Sequence, residues 1–340
     1  YKRQALTVAV SKKPCHIIYV LPTITSIRKM RQSLQKLLPS VRIEENYYFA
    51  DTEKLERVGT LEENNIDLDF FVSKSFISPV TITTLDQLLI SFLHVGKYFL
   101  KRYHFRNSVF IFDEFHLYPI NGLYILLYFF KEFNEKFNYN MRSIFMSATI
   151  HPVFRSLINQ FTATKEFEFL QEYKKKRRYL YTLEENDITS EEVLKQIIEK
   201  SKLGNVLVIC NTVEKAIKVY LLLKHSYKMK NILLLHSRYT YHDRRKKEEQ
   251  LERLSAKSRN FIFISTQVSE VSLDISFDFL FTELAPIPSL IQRFGRVNRY
   301  SDFIDNTNVN ITYPEEIGKT QFYPYSEEEI EFATSTLSEL

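Results

Sequence analysis

Glycine is scarce in this chain, with six in 340 residues. Glycine is the residue that lets backbone approach a phosphate closely, so few stretches qualify as phosphate-cradling loops. Cysteine is scarcer still. Cys15 and Cys210 lie far apart, each in or beside an apolar run, which reads as two small buried hydrophobes and excludes a disulfide scaffold. No apolar run approaches the roughly 20 residues needed to span a bilayer, and no secretory leader pattern is present, so a cytoplasmic protein with no membrane partner is the default. Neither sign of charge dominates: 46 Lys and Arg face 41 Asp and Glu, a net +5. That mildly basic balance suits a polyanionic partner without requiring one. The first residue is Tyr1, not Met, so the chain is expected to be part of a longer protein.

At 340 residues and 44% hydrophobic, the chain has the length of about two domains and can build ordinary cores. Short apolar runs recur: HIIYVL (16–21), VTITT (80–84), VFIFD (109–113), SIFMS (143–147), NVLVIC (205–210), ILLLH (232–236), FIFIS (261–265) and FLFTE (279–283). They do not alternate apolar with polar, so they fit parallel strands covered on both faces. Amphipathic helices separate them. In TSIRKMRQSLQKLL, residues Ile27, Met30, Leu34 and Leu37 fall at helical spacing, with Arg28, Lys29, Arg31 and Lys36 on other faces. The alternation predicts an α/β architecture. The runs form two groups of four around a polar stretch near 160–190 that holds KKKRR (174–178), read as a solvated linker. Ser326 and Glu329 stand at capping-box spacing and predict a final helix.

In a parallel α/β sheet, ligands bind beyond the carboxyl ends of the strands. VFIFDEFHLYP (109–119) places Asp113 and Glu114 at such an end, where burying a charge is costly unless it is paired or binds a cation. An acid there can hold Mg²⁺ against nucleotide phosphates, and its neighbour can orient and deprotonate water. About thirty residues on, another strand ends in Ser147-Ala148-Thr149. Those hydroxyls can bond a nearby histidine or carboxylate, or simply cap a helix. The strongest signal is IQRFGRVNR (291–299). Gln292, Arg293, Arg296 and Arg299 are spaced for a polar, cationic helix face, and Arg suits bidentate phosphate contact. Upstream, STQVSEVSLDI (265–275) adds Thr266 and Asp274 after a buried strand.

D-E-F-H, S-A-T and Q-R-F-G-R-V-N-R, in this order and spacing, resemble motifs II, III and VI of superfamily 2 helicases of the DExH kind. The 265–299 block resembles the CRISPR-associated type I interference helicase more specifically. LLLHSRYTYHDRRKKEE (233–249), LPTITS (21–26) and TTLDQLL (83–89) extend the resemblance over about 1–315. It implies two tandem RecA-like lobes, each a mostly parallel sheet flanked by helices, over 1–170 and 171–320, with a C-terminal helix over 321–340. It further implies ATP and Mg²⁺ as cofactors, single-stranded DNA as track, and a Cascade-type effector complex and an HD-type nuclease as partners.

Carried over by position, Asp113 would hold the metal, Glu114 the water, and His116 would couple the lobes with Ser147 and Thr149. Gln292, Arg296 and Arg299 would serve the γ-phosphate, Asp274 and Arg293 the nucleotide, and Thr23, Thr84 and Thr266 the DNA backbone. One part of the pattern is missing: no G-x-x-x-x-G-K-[ST] loop is present. Gly318-Lys319-Thr320 follows the arginine motif, in the wrong lobe, and Gly96-Lys97-Tyr98 lacks the hydroxyl and the upstream glycine. RQALTVAV (3–10) reads as the helix that follows such a loop, so the loop is expected just upstream of Tyr1. His242-Asp243 reads as a helix start rather than a metal pair. A DExH helicase acting on RNA and a non-catalytic, helicase-shaped subunit are the alternatives.

Overall fold

The computed structural model describes residues 16–47, 71–72, 74–147, 150, 152–167, 178–257, 260–272, 275–299, 306–313 and 323–339. The chain divides into two compact units, Tyr1–Phe167 and Glu168–Leu340.

In the first unit the elements run β1 (Ile17–Leu21), α1 (Ile24–Leu37), β2 (Ile43–Asn46), β3 (Val80–Thr84), α2 (Leu85–Phe92), α3 (Tyr98–Tyr103), β4 (Val109–Asp113), α4 (Ile120–Phe137), β5 (Arg142–Met146) and α5 (Pro152–Phe161). The five strands form one sheet, ordered β2-β3-β1-β4-β5, with every pairing parallel. Alternate residues of a strand face opposite sides, and both sides here are packed. Ile18, Val20, Phe110 and Phe112 enter one core with Phe92 and Phe130 from the helices and Phe105 from the turn after α3. Ile17, Tyr19, Val109 and Ile111 enter another with Ile27, Met30 and Leu34 of α1. That is why these strands read as unbroken apolar runs. On α1 the helical spacing held for three of its four apolar positions, while Leu37, in the last turn, is exposed.

The second unit contains β6 (Tyr181–Glu184), α6 (Glu191–Leu203), β7 (Val206–Ile209), α7 (Val213–Leu221), β8 (Ile232–Leu235), α8 (Tyr241–Lys257), β9 (Ile262–Ser265), α9 (Val268–Ser272), β10 (Phe279–Glu283), α10 (Ile287–Phe294), β11 (Val309–Thr312) and α11 (Glu327–Glu339). Its six strands are ordered β6-β11-β10-β7-β9-β8, again all parallel. Leu207 and Ile209 face one core, and Val206, Val208 and Cys210 the other. Cys210 is a free thiol, buried as expected, and burial pushes its pKa well up, so it stays protonated and inert. The capping box at α11 is present: Glu329 N–H donates to Ser326 Oγ at 3.3 Å, and Ser326 N–H to Glu329 Oε2 at 3.0 Å.

The polar stretch near 160–190 is not wholly a linker. Part of it forms β6, paired to β11, and part the N-terminal approach to α6. KKKRR lies outside the described residues except for Arg178, and RQALTVAV and Gly318-Lys319-Thr320 lie outside them too. Among the described residues no helix is long and apolar enough to cross a membrane.

Candidate functional site: strand-end acids and a buried arginine hub

The carboxyl end of β4 carries the acids. Asp113, its last residue, is only 3% exposed and pairs in register with Met146 of β5. It stands on the same side of the sheet as Val109 and Ile111, facing the α1 core. Two phenols surround it. Tyr118 donates its hydroxyl to the backbone oxygens of Val20 (2.9 Å) and Asp113 (3.1 Å), tying the strand end to β1. Burial first, then the charge of Asp113, pushes the pKa of both Tyr118 and Tyr19 far up, so both remain neutral.

Directly after the strand, Glu114 adopts a left-handed backbone (φ 49°) and opens a short 3-10 turn over Phe115–Leu117. A non-glycine residue rarely takes that conformation, and such outliers gather at working sites. The buried ring of Phe115 holds the turn down, meeting Phe145 and Phe154 with centroids at 5.5 and 5.8 Å.

The turn delivers His116 to the end of β5, where its Nδ1 and Ser147 Oγ share a hydrogen bond of 2.7 Å. The histidine and hydroxyl singled out from sequence do meet. Nδ1 also lies 3.6 Å from Glu114 Oε2. Burial lowers the His116 pKa, and Asp113 offsets this only in part, so the ring is neutral near pH 7 and the Glu114 contact is not an ion pair. Thr149 lies outside the described residues.

The same unit holds two of the expected backbone-contact threonines. Thr23 is the N-cap of α1: its Oγ1 accepts from Ser26 N–H at 3.3 Å and shares a 2.8 Å bond with Ser26 Oγ. Its hydroxyl is therefore engaged within the protein. Thr84 occupies the corresponding position before α2, half-buried, and its side chain makes no capping bond. Gly96-Lys97 is a turn, with Gly96 at φ +67° and the Lys97 ammonium 4.1 Å from the centre of the Phe71 ring, so this decoy is an aromatic contact.

In the second unit the arginine motif does not form one helical face. α10 ends at Phe294, and the chain turns so that Phe277 and Val297 form a parallel bridge, with Asn298 left-handed at φ 48°. The residues of the motif therefore take different tasks. Arg293 is fully buried, with 0% exposure. Its Nε donates to Glu270 Oε1 (2.8 Å), and its Nη1 to Thr282 Oγ1 (2.7 Å) and Glu283 O (3.0 Å). Its Nη2 donates to Asn211 Oδ1 and to the Tyr325 hydroxyl, both at 3.1 Å. A guanidinium has five N–H donors, and all five are spent inside the protein. The expectation that Arg293 binds nucleotide is thus corrected. Burial works against its charge, but Glu270, Tyr325 and Glu283 hold it cationic.

Arg296 donates its Nη2 to the Glu270 carbonyl, and Arg299 donates its Nε to Gly295 O at 2.7 Å. Both are only partly buried, as is Gln292. Thr266 is 2% exposed in the turn between β9 and α9, where its carbonyl accepts from Ser269 Oγ at 3.0 Å, so its side chain is not presented to a DNA backbone. Asp274 lies outside the described residues.

Sequence reading missed the acid that organises this unit. Glu283, 1% exposed, ends β10 as Asp113 ends β4. Its Oε2 accepts from Asn211 N–H (2.7 Å) and its Oε1 from Lys215 Nζ (2.7 Å), which also reaches Asp187 Oδ2 at 2.6 Å. The signal was present in FLFTE, an apolar run closing on a carboxylate.

His242-Asp243 is a helix start, as read: Asp243 N–H donates to Thr240 Oγ1 at 3.2 Å. Just before it, His236 is buried at the end of β8 and stacks on Tyr239 with centroids 4.3 Å apart. Among the described residues no group of three or more His, Cys, Asp or Glu converges as a protein-only metal cage. A Mg²⁺ ion asks for less. It is commonly held through one or two carboxylates with phosphates and waters supplying the rest, and a buried carboxylate at a strand end, Asp113, fits that requirement.

The family model described as CRISPR-associated nuclease/helicase Cas3, C-terminal, matches residues 202–302. A protein of Methanocaldococcus jannaschii that carries the Cas3 nuclease/helicase name is 29% identical over 299 residues, which is 83% of this chain and 40% of that protein. Among solved structures, T. fusca Cas3 with AMPPNP superposes with a TM-score of 0.73 at 17% identity, covering 95% of this chain and 44% of the other. A chain of a CRISPR RNA-guided surveillance complex in a pre-nicking state gives 0.60 at 16% identity, covering 98% of this chain and 48% of the other. At these identities the structural likeness speaks for the fold, which is that of the Cas3 RecA-like helicase lobes. The resemblance to CRISPR-associated helicases read from the motifs is borne out.

Proposed function

We propose, for a chain similar to CRISPR-associated nuclease/helicases over most of its length, that it is the motor part of an ATP-dependent translocase. Its track is single-stranded DNA opened during type I CRISPR interference. The observation that carries the reading is the end of β4, where Asp113 is buried, Glu114 is held left-handed, and His116 is bonded to Ser147 of the neighbouring strand at 2.7 Å.

A buried carboxylate at a strand end suits a cation whose remaining positions are filled by phosphates and waters. With Mg-ATP bound, the metal neutralises charge developing on the transferred phosphoryl group. Asp113 is the residue to hold it. Glu114, directly after the strand in a left-handed conformation, orients and deprotonates the attacking water. His116, kept neutral by burial, passes a change at the acids to Ser147; Thr149, which lies outside the described residues, is assigned a part in coupling by its place in the motif alone. Arg296 and Arg299 carry guanidinium charge of the kind phosphoryl transfer needs, with Gln292 assisting. Arg fingers contribute on the order of 10³–10⁵ in rate. Asp274 belongs to the same machinery by its place in the motif. Thr84, whose hydroxyl makes no cap, is the better of the two first-unit threonines for a DNA phosphate.

The sequence similarity to proteins named CRISPR-associated nuclease/helicase is what supports recruitment by a Cascade-type effector; cutting by an HD-type nuclease is part of the same proposal. The chain spans 40% of the length of its M. jannaschii relative, so these partners belong to the whole protein.

The test is made on the full gene product. ATP hydrolysis is expected to rise with single-stranded DNA. Glu114→Gln is expected to abolish turnover and leave Mg-ATP affinity intact. Stimulation by RNA alone overturns the choice of track. Tight Mg-ATP binding without hydrolysis by the unaltered protein makes it a clamp, and turnover retained in Glu114→Gln removes that residue from the mechanism.

A further inference from the structure

The hydroxyl of Tyr325 has a place in the arginine network that its position in the sequence, 26 residues beyond Arg299, does not suggest. It accepts from Arg293 Nη2 at 3.1 Å and from Gln267 Nε2 at 3.4 Å. Gln267 in turn donates to Asn211 O at 2.9 Å. Arg293 holds Glu270 through Nε, and the Glu270 carbonyl holds Arg296 through Nη2. A continuous series therefore runs Tyr325–Arg293–Glu270–Arg296. Its second member, Arg293, is a fully buried cation with no spare donor, so it cannot shift without leaving a charged N–H unsatisfied.

The phenol is fixed from the other side by local rules. Ser326 and Glu329 form the capping box of α11, which makes Tyr325 the residue just before the cap. A residue there commonly packs on the fourth helical position, which is Ile330, and both belong to the same core. Ala333 and Leu337 seat the remainder of the helix in that core, and Tyr181 donates its hydroxyl to Leu337 O at 2.7 Å. The entry of α11 is thus a rigid support, and the hydroxyl it presents is the fifth partner of Arg293.

Resting on the hydrolytic reading above, we propose that Tyr325 is a positioning residue for phosphoryl transfer. It acts through Arg293 and Glu270 on the orientation of Arg296. A residue with only a packing role needs its ring; a positioning residue needs its oxygen. Misplacing a reacting group by about an ångström can cost up to about a hundredfold in rate.

The experiment is Tyr325→Phe in the full gene product, assayed for ATP hydrolysis with single-stranded DNA at a temperature where circular dichroism shows the variant folded. The expected result is a kcat lower by about tenfold, with KM for ATP within about twofold. Arg296→Ala and the double variant complete a cycle. In the Arg296→Ala background, Tyr325→Phe is expected to change kcat little, because the residue it acts through is gone. An unchanged kcat in Tyr325→Phe, a rise in KM alone, or an undiminished tenfold loss in the Arg296→Ala background overturns the proposal. An unaltered protein that does not hydrolyse ATP overturns the hydrolytic reading and this proposal together. One that does, beside an unaffected Tyr325→Phe, overturns this proposal alone.

Discussion

A buried charge is tolerated only where its surroundings answer it, and Asp113, Glu283 and Arg293 are answered differently. Glu283 is met by a backbone N–H and an ammonium, and Arg293 by five acceptors. Asp113 stands among neutral phenols and a neutral imidazole at a strand end. His116 makes that neutrality measurable. Burial lowers its folded-state pKa below the ordinary value near 6.5. Below pH about 6.5 the unfolded chain then binds more protons than the folded one, so stability falls as pH drops through that value and is full above it. His116→Gln is expected to flatten the acid limb of a urea-midpoint-versus-pH curve between pH about 7 and 5; an unchanged slope removes His116 as its source. What sequence made readable at this scale was that Asp113 and Glu114 close an apolar strand and that Ser147 can bond a nearby histidine, which proves to be His116. Sequence could not divide the arginines. Arg293, Arg296 and Arg299 carry the same group at similar spacing, and only packing shows that the first is consumed as structure.

At the scale of elements, the helix that closes the chain rests on a few local contacts. α11 is polar on most of its surface and depends on Ile330, Ala333 and Leu337 for burial and on Ser326 for its start. Ser326→Ala is expected to cost about 1 kcal/mol of stability, read from the shift in urea midpoint at constant m-value; a change below about 0.3 kcal/mol sinks the capping account. The capping box was legible because it obeys a local rule. So were the eight apolar strands, four of them in each unit. Among the described residues, the strands that escaped are β2, β6 and β11. β2 and β6 stand at sheet edges and read IEEN and YTLE; β11 reads VNIT beside β6. A strand bonded on one side only, or one that buries an asparagine against a neighbour such as Gln196, does not need an unbroken apolar run. The arginine motif failed in the opposite sense. Its spacing suits a helix, but α10 stops at Phe294 because the backbone that follows is used to bridge to Phe277.

For the whole molecule, the decisive fact is that, among the described residues, each unit has hydrophobic clusters of its own. Two lie wholly within Tyr1–Phe167 and two wholly within Glu168–Leu340. Chains with separate cores commonly depart from two-state unfolding. Urea denaturation followed by hydrogen exchange is therefore expected to give two transitions, one reported by peptides of each unit. Arg293→Ala distinguishes them. It leaves Glu270 buried without its cation and Asn211, Thr282 and Tyr325 without their donor, a loss of about 3–5 kcal/mol for a broken buried pair. That loss belongs to the second unit, because all five partners of Arg293 do. Peptides from β6 to α11 are expected to lose protection at lower urea in the variant, while peptides from β1 to β5 keep theirs. If all peptides shift together, the chain unfolds as one cooperative body, and the separate cores are not separate in energy.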